Sequence, residues 1–229
     1  FLSRALVAEG IEVDLPHLGG KRAATWFPIS WVIYSVYLSE KIGYWRYILM
    51  DRHLKANPGE AFAPLFDFFE PWCQDENRHG DCFTVMMRCW PGITKGWRGK
   101  LLSRFFLWSV FLTHTLTVCE RGEFYELLGI EPKEFDEEVI KRTNHTSKNA
   151  FPWVFNLEDN RFWDLRNNII EAFRAFVSTK GIAKPVKFIK FVSLIFQQFA
   201  LPMEATNALR YEKDVNFTGG DIFNFWTDK

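Results

Sequence analysis

Residues 65 to 88 read Leu65-Phe66-Asp67-Phe68-Phe69-Glu70-Pro71-Trp72-Cys73-Gln74-Asp75-Glu76-Asn77-Arg78-His79-Gly80-Asp81-Cys82-Phe83-Thr84-Val85-Met86-Met87-Arg88, and this stretch decides the fold. Leu65, Phe69, Trp72, Glu76, His79, Phe83 and Met86 follow one another at steps of three and four, so on a helix they share one stripe. That stripe is apolar except for a carboxylate and an imidazole. A face of this composition is expected to be buried, and a carboxylate there needs something to balance its charge. A bound cation would do so. Glu-x-x-His places both side chains on one side a turn apart, a spacing used in helical bundles that hold metal. Against this stands a plainer reading, a core Glu and His satisfied by one another or by an arginine.

The neighbouring sequence extends the pattern. Pro28 to Leu54 reads as a long helix in which Tyr37, Glu40, Tyr44 and Tyr47 share a face, so Glu40 is again a carboxylate among rings. The Asn57-Pro58-Gly59 turn is short, which favours an antiparallel pairing of helices 28–54 and 62–89. Glu40 lies about 18 residues before the turn and Glu76 about 17 after it, so the two fall at similar heights. Gly43 and Gly80 sit beside these residues. Each costs about 1 kcal/mol relative to alanine in a helix, which marks a place where something must approach closely. Pro71 is expected to bend or break the second helix.

The rest of the chain reads as further helices. Trp97 to Leu128 closes at Gly129, and its apolar run Phe105 to Val118 is too short to span a bilayer, which takes about 20 residues. His114 within it reads as a hydrogen-bonded core histidine rather than a ligand. Pro132 to Lys148, Asp159 to Thr179 and Lys184 to Ala200 follow. The last carries Lys184, Lys187 and Lys190 near its start, with Phe188, Phe191, Leu194, Ile195 and Phe199 as its apolar part. It suits a membrane surface or an ordinary cover for the bundle equally well. Phe1 to Ala8 reads as a helix end, Glu9 to Arg22 as a loop, and the tail from Met203 as an irregular extension.

Composition narrows the classes. The 229 residues have 48% hydrophobic content, which excludes general disorder, and 17% aromatic content with 24 Phe and 10 Trp, which suits a flat ligand, a membrane-facing surface or an aromatic core. Charges balance at 28 against 28, so nothing global points to nucleic acid. Cys73, Cys82, Cys89 and Cys119 form no disulfide framework and read as reduced and intracellular.

Several blocks resemble the aerobic, iron-dependent cyclases that act on magnesium-protoporphyrin IX monomethyl ester. They are Tyr37-Leu38-Ser39-Glu40-Lys41-Ile42-Gly43-Tyr44-Trp45-Arg46-Tyr47-Ile48, Phe69-Glu70 with Trp72 to Asp81, Ser103-Arg104-Phe105-Phe106, Phe124-Tyr125-Glu126 with Leu128-Gly129, and Thr143-Asn144 with Phe151-Pro152. The resemblance implies an all-α, ferritin-like helical bundle, here the carboxy-terminal half of a four-helix core with additional helices. It divides the chain into 1–155, the di-iron bundle portion, and 156–229, a helical extension. It makes Glu40, Glu76 and His79 iron ligands, supported by Asp75, which would orient a ligand histidine, and Arg78, which would balance charge. In this family a further Glu and a second Asp-Glu-x-Arg-His stand on two earlier helices, and Phe1 falls just after where the latter would be.

The implied function is oxidative closure of the fifth ring of the macrocycle to give divinyl protochlorophyllide in chlorophyll biosynthesis. It would use dioxygen, two iron ions and NADPH-derived reducing equivalents delivered by an electron donor protein, with an auxiliary subunit as a further partner. The location implied is peripheral, at a photosynthetic membrane of a plastid or a bacterium. Three other readings stand beside it: a non-catalytic helical scaffold binding tetrapyrrole or membrane partners, a half-site protein active only as a dimer, and a di-iron oxidase acting on another substrate.

Overall fold

The computed structural model describes residues 27–61 and 64–206. The helix end expected at 1–8, the loop at 9–22 and the tail beyond 206 lie outside the described residues. Within them the fold is all-α, as expected.

Helix α1 spans Ile29–Ala56, entered through Pro28 and ended before the Asn57-Pro58-Gly59 turn. Short 3-10 turns at Pro58–Glu60 and Pro64–Phe68 lead into α2, Phe69–Cys89. The second helix therefore starts later than the expected residue 62, and Pro71 lies in its first turn. Backbone N–H groups there have no intrahelical partner in any case, so the proline starts the helix rather than bending it. Helix α1 packs most extensively against α2.

Helix α3 covers Gly96–Glu120 and α4 covers Gly122–Leu127. The expected continuous helix 97–128 is thus interrupted at Arg121, beside the low-propensity Gly122. Helix α3 is long and apolar enough to cross a bilayer by length and composition, a correction to the shorter run read from sequence. Its buried Ser103, His114 and Thr115 instead line the protein interior. Gly129 closes α4 with φ +68°, a value open to glycine. Over it, His53 Nε2 lies 2.7 Å from Glu60 and 2.8 Å from the Leu128 carbonyl.

Helix α5, Pro132–Ser147, opens with the Glu131 carboxylate accepting from the Glu134 amide, and α6, Asn160–Ser178, with Asp159 accepting from the Arg161 amide. Helix α7 covers Lys184–Phe199. Strand β1, Trp153–Phe155, pairs antiparallel with β2, Met203–Ala205, with Val154 opposite Glu204. The segment from Met203 is therefore tied down at its start, not loose as its polarity suggested. The backbone pairing supplies the order that the side chains do not.

The main core gathers Tyr34, Tyr37 and Leu38 of α1, Leu107 and Phe111 of α3, and Phe151, Phe155 and Phe162. The Phe151 ring lies 4.7 Å from Tyr34 and 5.1 Å from Tyr37. Tyr37 donates to the Thr146 carbonyl and Trp45 to the Thr146 hydroxyl, which fixes α1 against α5. Part of the aromatic content is thus structural.

Candidate metal centre

Glu40 stands on α1, and Glu76 and His79 stand one turn apart on α2. One potential ligand atom from each lies within 4.8 Å of the other two. His79 Nδ1 is 3.1 Å from Glu40 Oε2, so the level match counted outward from the Asn57 turn is met. Glu76 Oε1 accepts from the Trp72 indole at 2.9 Å, which aims the carboxylate across the helix pair. Burial pushes the Glu76 carboxyl above its ordinary range, and the facing Glu40 carboxyl pushes it further.

The face holding this cluster is not the buried one. Helix α2 turns Phe69, Cys73, Asn77, Gly80 and Met87 inward, one position round from the stripe read in the sequence. Trp72 and Met86 are exposed, and the His79 side chain is 63% exposed. The cluster thus sits at the rim of the α1–α2 pair. The register is set by groups that sequence reading passed over. Lys41 of α1 is buried and donates to Asp81 at 2.6 Å and to the Asn77 side chain at 2.9 Å. Each potential ligand is thus followed in sequence by part of this clamp: Glu40 by Lys41, Glu76 by Asn77, His79 by Gly80. Gly80 is required there, since a Cβ would come within 2.6 Å of Lys41 Cε. Gly43 is less constrained, for its Cβ would meet Glu76 Oε2 at 3.6 Å, an ordinary contact.

Asp75 and Arg78 take a different place from the one expected. They pair with each other at 3.0 Å on the exposed side of α2, instead of holding His79 or facing the carboxylates. Their spacing of three suits that local pair. His114 is the core histidine it was read to be, and its partner comes from another helix: Nδ1 lies 2.6 Å from Asp136 of α5.

The residues present fit a metal ion. Two carboxylates and an imidazole converge, Glu40 is ion-paired only with His79 among the described residues, and the nearby Lys41 is committed to Asp81. Oxygen and imidazole donors together suit non-haem iron, manganese or zinc. A cleft of about 370 Å³ lies between α1 and α3, lined by Leu38, Ile42, Gly43, Arg46, Phe106 and Val110 among others; none of Glu40, Glu76 and His79 lines it, and Gly43, which lies against Glu76, joins it to the cluster.

Comparison with known proteins gives this geometry its context. A family described as Rubrerythrin matches residues 1–87, which supports iron as the bound metal. Magnesium-protoporphyrin IX monomethyl ester [oxidative] cyclase of Prochlorococcus marinus strain MIT 9211 is 72% identical over 211 residues, 92% of this chain and 60% of the relative. The chain is a relative of these oxidative cyclases. A more distant one, cyclase 2 of Thermosynechococcus vestitus, is 45% identical over 201 residues, 88% of this chain and 56% of its own length. Cyclase 2 of Synechocystis sp. strain PCC 6803 is 51% identical over 163 residues, 71% and 46% of the two chains. The chain thus spans about 60% of the length of the first of these cyclases. No solved structure matches it.

Proposed function

We propose that the protein is an oxygen-dependent oxidoreductase that closes the isocyclic ring of magnesium-protoporphyrin IX monomethyl ester to give divinyl protochlorophyllide. The observation that carries this reading is the convergence of Glu40, Glu76 and His79 within 4.8 Å, in a chain 72% identical to proteins named for that activity. Glu40, Glu76 and His79 would hold iron, two ions in the whole protein, and iron so held supplies the activation of dioxygen and the electron transfer that the reaction needs. Reducing equivalents from NADPH through a donor protein, an auxiliary subunit, and a peripheral place at a photosynthetic membrane belong to the same reading. So does the division of labour between residues 1–155 and the extension 156–229.

The side chains around the cluster have definable tasks. The Trp72 indole holds one Glu76 oxygen, leaving the other for the ion. Tyr47, 4.9 Å from the Trp72 ring, and Phe69 behind it form an aromatic cluster that holds the Trp72 indole in place against Glu76. The cleft along α1 offers apolar walls to the edge of a flat macrocycle. At one end of it Arg46 lies 2.7 Å from the Tyr47 hydroxyl and is the cation there for the free carboxylate of a monoester. Asp75 and Arg78 keep a supporting role in the proposal only by leaving their mutual pair.

The test is Glu76→Ala in the natural protein, followed by iron content, product formation and unfolding free energy. Iron and turnover should fall together by at least about 100-fold, the scale seen when a catalytic metal's support is lost. Stability should change by less than about 1 kcal/mol, because the removed carboxyl is desolvated and faces another. Unchanged turnover would sink the reading. The exposed His79 and Trp72 also favour a dimer pooling two half-sites, which requires the iron-loaded protein to sediment as a dimer.

A further inference from the structure

Helix α7 is apolar on two opposite sides, and only one of them is used. Its inner side packs on α6: the Phe191 ring lies 5.6 Å from Phe173, and Phe188 lies 5.4 Å from Phe176. Leu194 and Ile195 join the same cluster with Ile169 and Ala172. Trp108 of α3 meets Phe199 at 5.2 Å, and Arg104 donates to the Leu201 carbonyl at 2.7 Å. These contacts account for the stripe read in the sequence as a cover for the bundle.

The outer side carries a second stripe. Val186, Ile189, Ser193 and Phe196 follow at steps of three, four and three, so they share one helix face. Ile182, in the 3-10 turn just before the helix, continues it. Exposures are 97% for Ile182, 67% for Val186, 67% for Ile189 and 65% for Phe196. Every residue from 181 to 190 is exposed, so the turn between α6 and α7 projects from the bundle. A helix apolar on both sides needs a second apolar environment outside the fold.

Charge identifies that environment. Between Glu171 and Glu204 the sequence has Arg174, Lys180, Lys184, Lys187 and Lys190 and no acidic residue, in a chain whose formal charge is zero. Lys184 lies over the Phe176 ring, while Lys180, Lys187 and Lys190 form no ion pair among the described residues. Protein interfaces deplete lysine at their centres. A bilayer accepts it, because the ammonium reaches the headgroups while the aliphatic stem lies along the acyl boundary. Anionic headgroups match four lysines on one projecting turn and helix.

We propose that the outer face of α7, Ile182, Val186, Ile189 and Phe196 with Lys190 beside it and Lys180 and Lys187 on the same projecting segment, lies in the surface of an anionic bilayer with the helix axis parallel to it. The stripe is about 20 Å long at 1.5 Å per residue, enough to fix the orientation of the bundle on the membrane. This rests on the peripheral placement proposed above and names the surface that achieves it.

The test is sedimentation of the natural protein with vesicles of phosphatidylglycerol and phosphatidylcholine, and with vesicles of phosphatidylcholine alone. The protein should bind the first, release with rising salt, and leave the second in solution. The triple variant Val186→Ser, Ile189→Ser, Phe196→Ser should lose vesicle binding with helix content and iron binding unchanged, since all three side chains point away from the core. Lys187→Gln with Lys190→Gln should weaken binding about 30-fold at low salt, at roughly a factor of five per lysine. Binding by the triple variant equal to that of the natural protein overturns the proposal and leaves peripheral placement intact. Absence of binding by the natural protein overturns both. Self-association that the triple variant abolishes, without vesicle binding, makes a second copy the occupant and overturns the proposal as well.

Discussion

Of the places among the described residues where a histidine meets a carboxylate, the pair at His114 and the cluster at His79 are built in opposite ways. In the core, His114 Nδ1 and the Thr115 hydroxyl meet Asp136, and Arg166 of α6 donates to the same carboxylate at 2.7 Å. Arg166 also reaches the Lys133 carbonyl and Glu137, and both Arg166 and Asp136 are 1% exposed. The charges there are answered from within. At the rim of α1 and α2, Glu40 and Glu76 face each other with His79, and the neighbouring buried Lys41 points to Asp81 instead. The closed grouping fastens three helices together. The open one leaves two facing carboxylates without a cation from a neighbouring helix, which is the place proposed above for iron. Internal charge balance, more than residue type, separates the structural His114 from the His79 proposed as a ligand.

Breaking the closed grouping should give the largest effect on folding. Arg166→Met removes one of the two cations facing the buried Asp136, leaving only His114, and should cost about 3–5 kcal/mol of unfolding free energy, measured by denaturant titration. A loss below about 1 kcal/mol would mean that the core pair is not what fastens α5 to α6.

Lys41→Met tests the link between folding and the open grouping. Asp81 is a third exposed and can recover water, so the expected cost is smaller, about 2 kcal/mol. Metal affinity should fall as well, because α1 and α2 lose the clamp that sets Glu40 opposite His79. Cobalt(II) bound at the site, read by its visible absorption, should show a changed spectrum as well as weaker binding. An unaltered cobalt spectrum would confine Lys41 to stability.

The smallest effect concerns acid. Burial alone would raise the Asp136 carboxyl, but the His114 hydrogen bond and the charges of His114 and Arg166 outweigh it and hold the group below its ordinary 3.8. A lowered carboxylate contributes stability that is complete above the unfolded value and is lost as pH falls through the folded one. Unfolding free energy should therefore decline below about pH 3.8 in the natural protein. It should decline less steeply in Asp136→Asn, which starts lower at neutral pH. Parallel curves would show that Asp136 titrates alike folded and unfolded.

Local sequence carried much of this. The helices at 29–56, 132–147, 160–178 and 184–199 follow from periodicity, and from Pro28 and Pro132 near helix starts. Glu40, Glu76 and His79 were legible as a group because a short turn sets two helices antiparallel and residue counts then fix their heights. Asp136 as the partner of His114 was not legible, since 22 residues and a helix break separate them. Nor was the pairing of Met203–Ala205 with Trp153–Phe155, which rests on backbone groups far apart in the chain.

The sequence by itself determined the helical class, the identity of the converging donors and the pairing of α1 with α2, because these depend on spacing within or between adjacent elements. Only the tertiary structure decided which face of α2 is buried. A rotation of about 100° per residue separates the Trp72–Glu76–His79 stripe from the Cys73–Asn77–Gly80 stripe. Composition alone favours the first, with its rings. Lys41, needing Asn77, Asp81 and a glycine to lie against, turns the second inward and leaves the donors at the rim.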